Sequence, residues 1–104
     1  MARFAPTLLT LVGFAALAAA PSPGAASQIH FRAEPATVPA EARVVVRDTV
    51  FRCGEDGCYA PRGSSRAEIV CTVLARELGP LRSFSAGGRS FAGDALAECN
   101  RAAR

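Results

Sequence analysis

Four cysteines, Cys53, Cys58, Cys71 and Cys99, carry most of the chemistry this sequence can offer. Cysteine sulfur can cross-link a chain, ligate a metal or exchange disulfides, and spacing helps to separate the three. Zinc ligands usually arrive as close pairs such as C-x2-C. Here Cys71 and Cys99 lie far apart, which argues against a metal. A redox-active pair is typically C-x-x-C at a helix start, where the dipole lowers a thiol pKa. The C-x4-C segment Cys53-Gly54-Glu55-Asp56-Gly57-Cys58 instead carries two acids, which favour the protonated thiol. The leading expectation is two structural disulfides, out of the three pairings that four cysteines allow. Thiol–disulfide exchange by Cys53 and Cys58 stands as the enzyme-class alternative.

Other reactive groups are sparse. His30 is the single histidine, and Asp48 has no His or free Cys near it in sequence with which to share a proton. No Ser-His-Asp or Cys-His set can be assembled, so no catalytic residue is assigned. Glu55 and Asp56 fall short of the roughly six to eight oxygens calcium needs. Neither metal nor cofactor is expected. Arg62-Gly63-Ser64-Ser65-Arg66 precedes a helix, so Arg62, Ser64, Ser65 and Arg66 form a candidate anion contact. The competing reading is an ordinary helix start with solvated arginines.

The compartment decides among these chemistries, and the N-terminus addresses it. Met1-Ala2-Arg3 is a short positive start, and Leu8 to Ala20 is an uncharged apolar run. Pro21-Ser22-Pro23-Gly24 then breaks any helix, and Gly24-Ala25-Ala26 supplies the small residues a signal peptidase reads. Residues 1–26 are expected to be a signal peptide cut after Ala26, since Pro21 disfavours a cut after Ala20. The apolar run is shorter than the about 20 residues of a membrane span, so no stable anchor is expected after cleavage. No cysteine near the cut offers a lipid attachment point, and Arg3 alone makes no twin-arginine signal. The expected destination is the periplasm or beyond, where disulfides persist.

Of the 104 residues, cleavage leaves 78, a length at which a core rarely suffices without cross-links. The 12 basic residues, all Arg, oppose 9 acids for a net charge of +3, and removing Arg3 leaves +2. That excess is small and interspersed with acids, which excludes a nucleic-acid partner as an expectation. The absence of Lys and the wealth of Ala read as the compositional bias of a bacterial genome.

The elements follow from periodicity. Residues 27–42, rich in Ala and Pro, are expected to be a flexible leader in which His30 is solvated. Arg43 to Cys53 (RVVVRDTVFRC) is β-branched and aromatic and predicts one strand, with a bulge near Arg47-Asp48 to restore the alternation. After the polar turn Gly54–Gly57 the chain resumes as Cys58-Tyr59-Ala60, a hairpin that sets Cys53 across from Cys58. Ser65-Arg66-Ala67-Glu68 reads as a capping box, and the helix runs to Leu78 before the stop Gly79-Pro80. Ala67, Val70, Cys71, Leu74 and Leu78 form its buried stripe. A second hairpin turns at Gly87-Gly88 and pairs Ala86 with Arg89, Ser85 with Ser90 and Phe84 with Phe91. A last helix, with Asp94 as its expected cap, aligns Ala95, Leu96, Cys99 and Ala102. Cys71 and Cys99 therefore both point inward, and the favoured pairing is Cys53–Cys58 with Cys71–Cys99. The expected fold is a small single α+β domain over 43–104, β-β-α-β-β-α, with two helices on one face of an antiparallel sheet.

The segments RDTVFRCGEDGCYA, SSRAEIVCTVLARELG, SFSAGGRSF and LAECN resemble a family of short exported alphaproteobacterial proteins with four cysteines and no known function. The resemblance spans roughly Val45 to Arg101, with Phe51 standing where the family more often has Trp. It implies export and architecture, and no activity.

The expected function is that of a non-enzymatic, exported binding module whose partner is unknown, with a periplasmic protein as the natural class. Its contact surface is expected on the sheet face away from the helices or on the two hairpin turns. Besides the redox alternative, a secreted inhibitor presenting the Gly54–Gly57 turn is a third reading.

Overall fold

The computed structural model describes Val12, Gly13 and residues 28–104. The expected signal peptide of residues 1–26 and its expected cleavage site lie outside the described residues, apart from Val12 and Gly13. Among the described residues no helix is long and apolar enough to cross a membrane.

The chain enters through the middle of its sheet. Strand β1 (Ile29–Pro35) lies between β4 (Gly57–Pro61) and β5 (Leu81–Ala86), in an antiparallel sheet of order β2-β3-β4-β1-β5-β6. The remaining strands are β2 (Arg43–Val46), β3 (Thr49–Gly54) and β6 (Arg89–Phe91). Helix α1 (Ala67–Leu78) follows β4, and α2 (Asp94–Asn100) follows β6. The α+β class, the two helices and the antiparallel sheet are as expected, with two strands more than the sequence reading allowed.

The flexible leader is the first correction. Phe31 and Ala33 are buried and alternate with exposed Arg32 and Glu34, the period-2 signature of a half-covered strand. Pairing to β4 on one side and β5 on the other satisfies the backbone, which a solvated Ala/Pro tail would not need. His30 is therefore half-buried in a strand, its ring edge-on to Phe31 with centroids 4.6 Å apart. The folded unit begins with β1 and not at Arg43.

The second correction is at Arg47-Asp48. In place of a bulge there is a turn, with Val46 paired to Thr49 and Val44 to Phe51. The reversal places Val44, Val46, Phe51 and Cys53 on one face, the outcome the bulge was invoked to produce, and adds Thr49 to it. Arg47 takes φ 58, the left-handed region that side chains other than Gly, Asn or Asp seldom occupy.

Parity divides the sheet. The helix side carries Phe31, Phe51 and Phe84, all essentially inaccessible, over Val70, Cys71 and Leu74 of α1 and Cys99 of α2. The Phe31 centroid lies 5.9 Å from that of Phe51 and 6.0 Å from that of Phe84, so one aromatic band crosses four strands. Gly79, at φ 87, closes α1 by donating its N–H to the Ala75 carbonyl at 2.8 Å. The capping box does not form. The helix starts with Arg66 as N-cap and no side-chain cap, which puts Ser65 and Glu68 one position out of register for reciprocal bonds. Asp94 likewise is the first helical residue behind N-cap Gly93, so it favours the helix dipole without capping it.

Candidate functional site

Both disulfides take the expected pairing, and no described cysteine is free. Cys53 and Cys58 face each other across the β3–β4 hairpin with Cα atoms 4.1 Å apart. Cys71–Cys99 ties α1 to α2 with Cα atoms 5.6 Å apart. Cys58, Cys71 and Cys99 are buried and Cys53 is half-buried, so the bridges belong to the packed layer. Disulfides of this kind mark a protein that works outside the reducing cytoplasm.

A clasp holds the loop before α1. Asp48 Oδ2 accepts from the Ser64 N–H at 2.8 Å and from the Ser64 hydroxyl at 2.6 Å. Its Oδ1 accepts from the Thr49 hydroxyl at 3.3 Å. Gly63 is required there: a Cβ would overlap the Thr49 hydroxyl and come within 2.7 Å of Asp48 Oδ1. The Ser64 hydroxyl, then the Ser64 N–H, hold the Asp48 carboxyl below its ordinary value of 3.8. Of the candidate anion contact, Ser64 is thus engaged by the chain's own carboxylate. Ser65 is half-buried, and Arg62 and Arg66 are exposed.

The face opposite the helices carries a denser arrangement. The strand registers align one residue from every strand into a single cross-sheet row: Arg43, Arg52, Tyr59, Arg32, Ser85 and Ser90. The three arginines and Ser90 are exposed, and Tyr59 and Ser85 are half-buried. The Arg32 guanidinium carbon stands 5.6 Å from the Tyr59 ring centroid, a cation–π distance. The Tyr59 hydroxyl donates to the Asp56 carbonyl at 2.8 Å, which ties the row to the Gly54–Gly57 turn. Among the described residues the ion pair formed is Arg101–Glu98, at 3.1 Å on α2. None of the three arginines forms an ion pair within 4 Å among the described residues, although Glu34 and Asp56 lie in the depression beside Arg32.

Beside the row lies an aliphatic strip. Val45 pairs with Val50 and Ile29 with Pro61. Val45 is 65% exposed and Ile29 43%. A shallow depression of about 440 Å³ runs between Ile29, Val50, Pro61, Arg52 and Tyr59. On the other flank a depression of about 300 Å³ is lined by Arg32, Glu34, Tyr59, Ser83 and Ser85.

A model of a family of unknown function, DUF8200, matches residues 12–101. The chain belongs to this family. No curated protein and no solved structure matches the chain. Membership in DUF8200 assigns no chemistry, so the site of a DUF8200 protein has to be read from its residues. The sequence reading placed a contact surface on this face without naming a side chain of it. Arg32 lay in the supposed leader, and Arg43 and Arg52 fell in one supposed strand. The signal that would have found Arg32 is the short alternation of Phe31 and Ala33 against Arg32 and Glu34.

Proposed function

We propose that this DUF8200 chain is exported by its N-terminal signal to the periplasm or beyond and works there as a non-enzymatic binding module. Its contact surface is the open face of the sheet. The observation that carries the reading is the row of three arginines without an ion pair and a tyrosine across four adjacent strands, continued by Ser85 and Ser90 on the other two. Directly opposed like charges such as Arg43 and Arg52 destabilise a sheet, and Arg52 and Arg32 stand on interior strands where no edge needs protecting.

The poverty of catalytic groups supports the non-enzymatic part. The Asp48 carboxylate is engaged by Ser64 and Thr49, and His30 packs against Phe31 and beneath Gly87. Export is supported by the signal-like N-terminus together with two disulfides. Thiol–disulfide exchange ranks lower because Cys58 is fully buried, which leaves one partly accessible sulfur. The inhibitor reading rests on the exposed Glu55 and Asp56 alone.

A photo-reactive residue at Ser85 in the expressed full-length gene, with Ile69 of α1 as the reference position, tests the contact face in cells. A discrete adduct from Ser85 and none from Ile69 is expected. Adducts from Ile69 alone, or from neither position, overturn the open face as the contact surface. Intact mass tests export: a chain starting at Ser27 that gains about four hydrogens on reduction, two per disulfide, is expected.

A further inference from the structure

Building on that contact surface, we infer that its ligand is an extended protein segment carrying carboxylates beside aliphatic side chains, which lies across the strands along the arginine row. Charge complementarity selects the carboxylates. Arg32, Arg43 and Arg52 form no ion pair within 4 Å among the described residues, Arg43 and Arg52 stand farther along the row than Glu34 and Asp56 beside Arg32, and the planar fork of Arg matches a carboxylate bidentately.

The strand order sets the spacing. Arg43 and Arg52 are on neighbouring strands, about 5 Å apart at the backbone, while Arg32 lies two strands beyond Arg52, at about 10 Å. Alternate side chains of an extended segment recur every 6.6 to 7 Å or so. With the reach of arginine side chains, acids at alternate positions can meet successive guanidinium groups.

The aliphatic strip separates a protein from other anionic ligands. Val45, Val50 and Ile29 run alongside the charges and offer apolar contact to the neighbouring side chains of such a segment. A phosphate polymer or an anionic glycan has no aliphatic side chains to set there. A lipid surface would call for Trp, Phe or Leu anchors beside the basic residues, which Tyr59, tied back to the Asp56 carbonyl, does not supply. The chain has no Trp, and Phe31, Phe51 and Phe84 face the helices.

The test uses purified oxidised protein and three probes: a fluorescent (Glu-Val)4 peptide, its (Gln-Val)4 counterpart and phosphatidylglycerol vesicles. Anisotropy is expected to show saturable binding of (Glu-Val)4 that weakens at least tenfold in Arg32→Gln/Arg52→Gln and stays unchanged in Arg76→Gln. Arg76 is exposed on the last turn of α1, away from this face. Binding should also fall as salt rises from 50 to 300 mM, since exposed charges are screened. The inference is overturned by equal binding of (Gln-Val)4, by a double variant that binds as the parent does, or by vesicle binding without peptide binding. The first and third of these outcomes leave the open face standing as a contact surface if Ser85 still cross-links. Loss of the Ser85 adduct removes the surface itself.

Discussion

Removing the Cys71–Cys99 bridge should destabilise the fold more than removing Cys53–Cys58, and the loop lengths say by how much. The bridges close segments of 28 and 5 residues. Loop-closure entropy in the unfolded chain then corresponds to about 3.5 kcal/mol for the longer and about 2 kcal/mol for the shorter. Replacement by Ala also deletes sulfur from the packed layer. Three of the four sulfurs are in buried residues and the fourth is in half-buried Cys53, so this loss nearly cancels between the pairs. The expected difference is therefore about 1.5 kcal/mol, with Cys71→Ala/Cys99→Ala the weaker protein. For a folded unit of residues 28–104, total stability on the order of 4 to 11 kcal/mol is typical. The longer bridge is then a third or more of what holds α1 and α2 over the sheet. Urea unfolding followed by circular dichroism on the parent and both double variants measures it. The m-value should rise more for the Cys71/Cys99 variant, because its unfolded chain expands more. Equal destabilisation, or a larger loss for Cys53→Ala/Cys58→Ala, would refute the view that the helix-to-helix bridge is the main cross-link.

Four further outcomes follow from single contacts. Asn100→Ala should lose about 2 to 4 kcal/mol in urea titration, because the Asn100 amide donates to the Leu81 carbonyl at 2.8 Å and accepts from its N–H at 2.9 Å; a loss under 1 kcal/mol or so would mean water replaces it. The Asp48 carboxyl should titrate below 3.8 by NMR, so its contribution is present above that pH and is lost as pH falls through the folded value; Ser64→Ala should move the midpoint up, and an unmoved midpoint sinks the assignment to Ser64. Gly57→Ala should lose at least about 2 kcal/mol, since Gly57 has φ +119 and a Cβ would sit 2.7 Å from the Ala33 carbonyl oxygen of the central strand; an unchanged melting temperature would contradict this. Arg47→Gly should gain roughly 0.5 to 1 kcal/mol by relieving the left-handed φ at the β2–β3 turn, and a loss would show that the Arg47 side chain contributes more than its backbone costs.

What the sequence revealed and what it hid divide by distance along the chain. Gly87-Gly88 sets its own hairpin, so Phe84–Phe91, Ser85–Ser90 and Ala86–Arg89 pair as read. The Cys53–Cys58 pairing follows from the short turn between them, and α1 from its apolar stripe and the Gly79-Pro80 stop. Strand β1 was obscured because both of its partners are remote. Its nearest, β4, begins at Gly57, and the local signal is only a four-residue alternation that ends in Pro35 with Pro39 close behind, which also suits a loop. The β2–β3 turn was obscured because Arg, and not Gly or Asn, occupies the position that takes a positive φ. Its support comes from Ser64 on Asp48, 16 residues away. Asn100 acts on Leu81 at a separation of 19, again beyond local pattern. The arginine row was the least legible feature of all, since residues 32, 43, 52 and 59 become neighbours only once the strand order is known.

The strand order also decides which arginines the functional reading depends on. Arg43 lies on β2, an edge strand, where a charge has a reason unrelated to any ligand: it blocks pairing with another chain. Its opposition to Arg52 could be tolerated for that benefit. Arg52 and Arg32 have no such reason. They stand on β3 and β1, paired on both sides, and they flank Tyr59 of β4 from the two adjacent strands. Solubility alone would be served as well by acids, or by the alternation of signs found elsewhere along the chain. A protective role predicts that Arg43→Gln promotes self-association while Arg32→Gln and Arg52→Gln change nothing. A ligand-binding role predicts the reverse ranking, with Arg32 and Arg52 controlling affinity because they bracket the one aromatic side chain of the row. The two roles thus separate residue by residue along a single line of side chains.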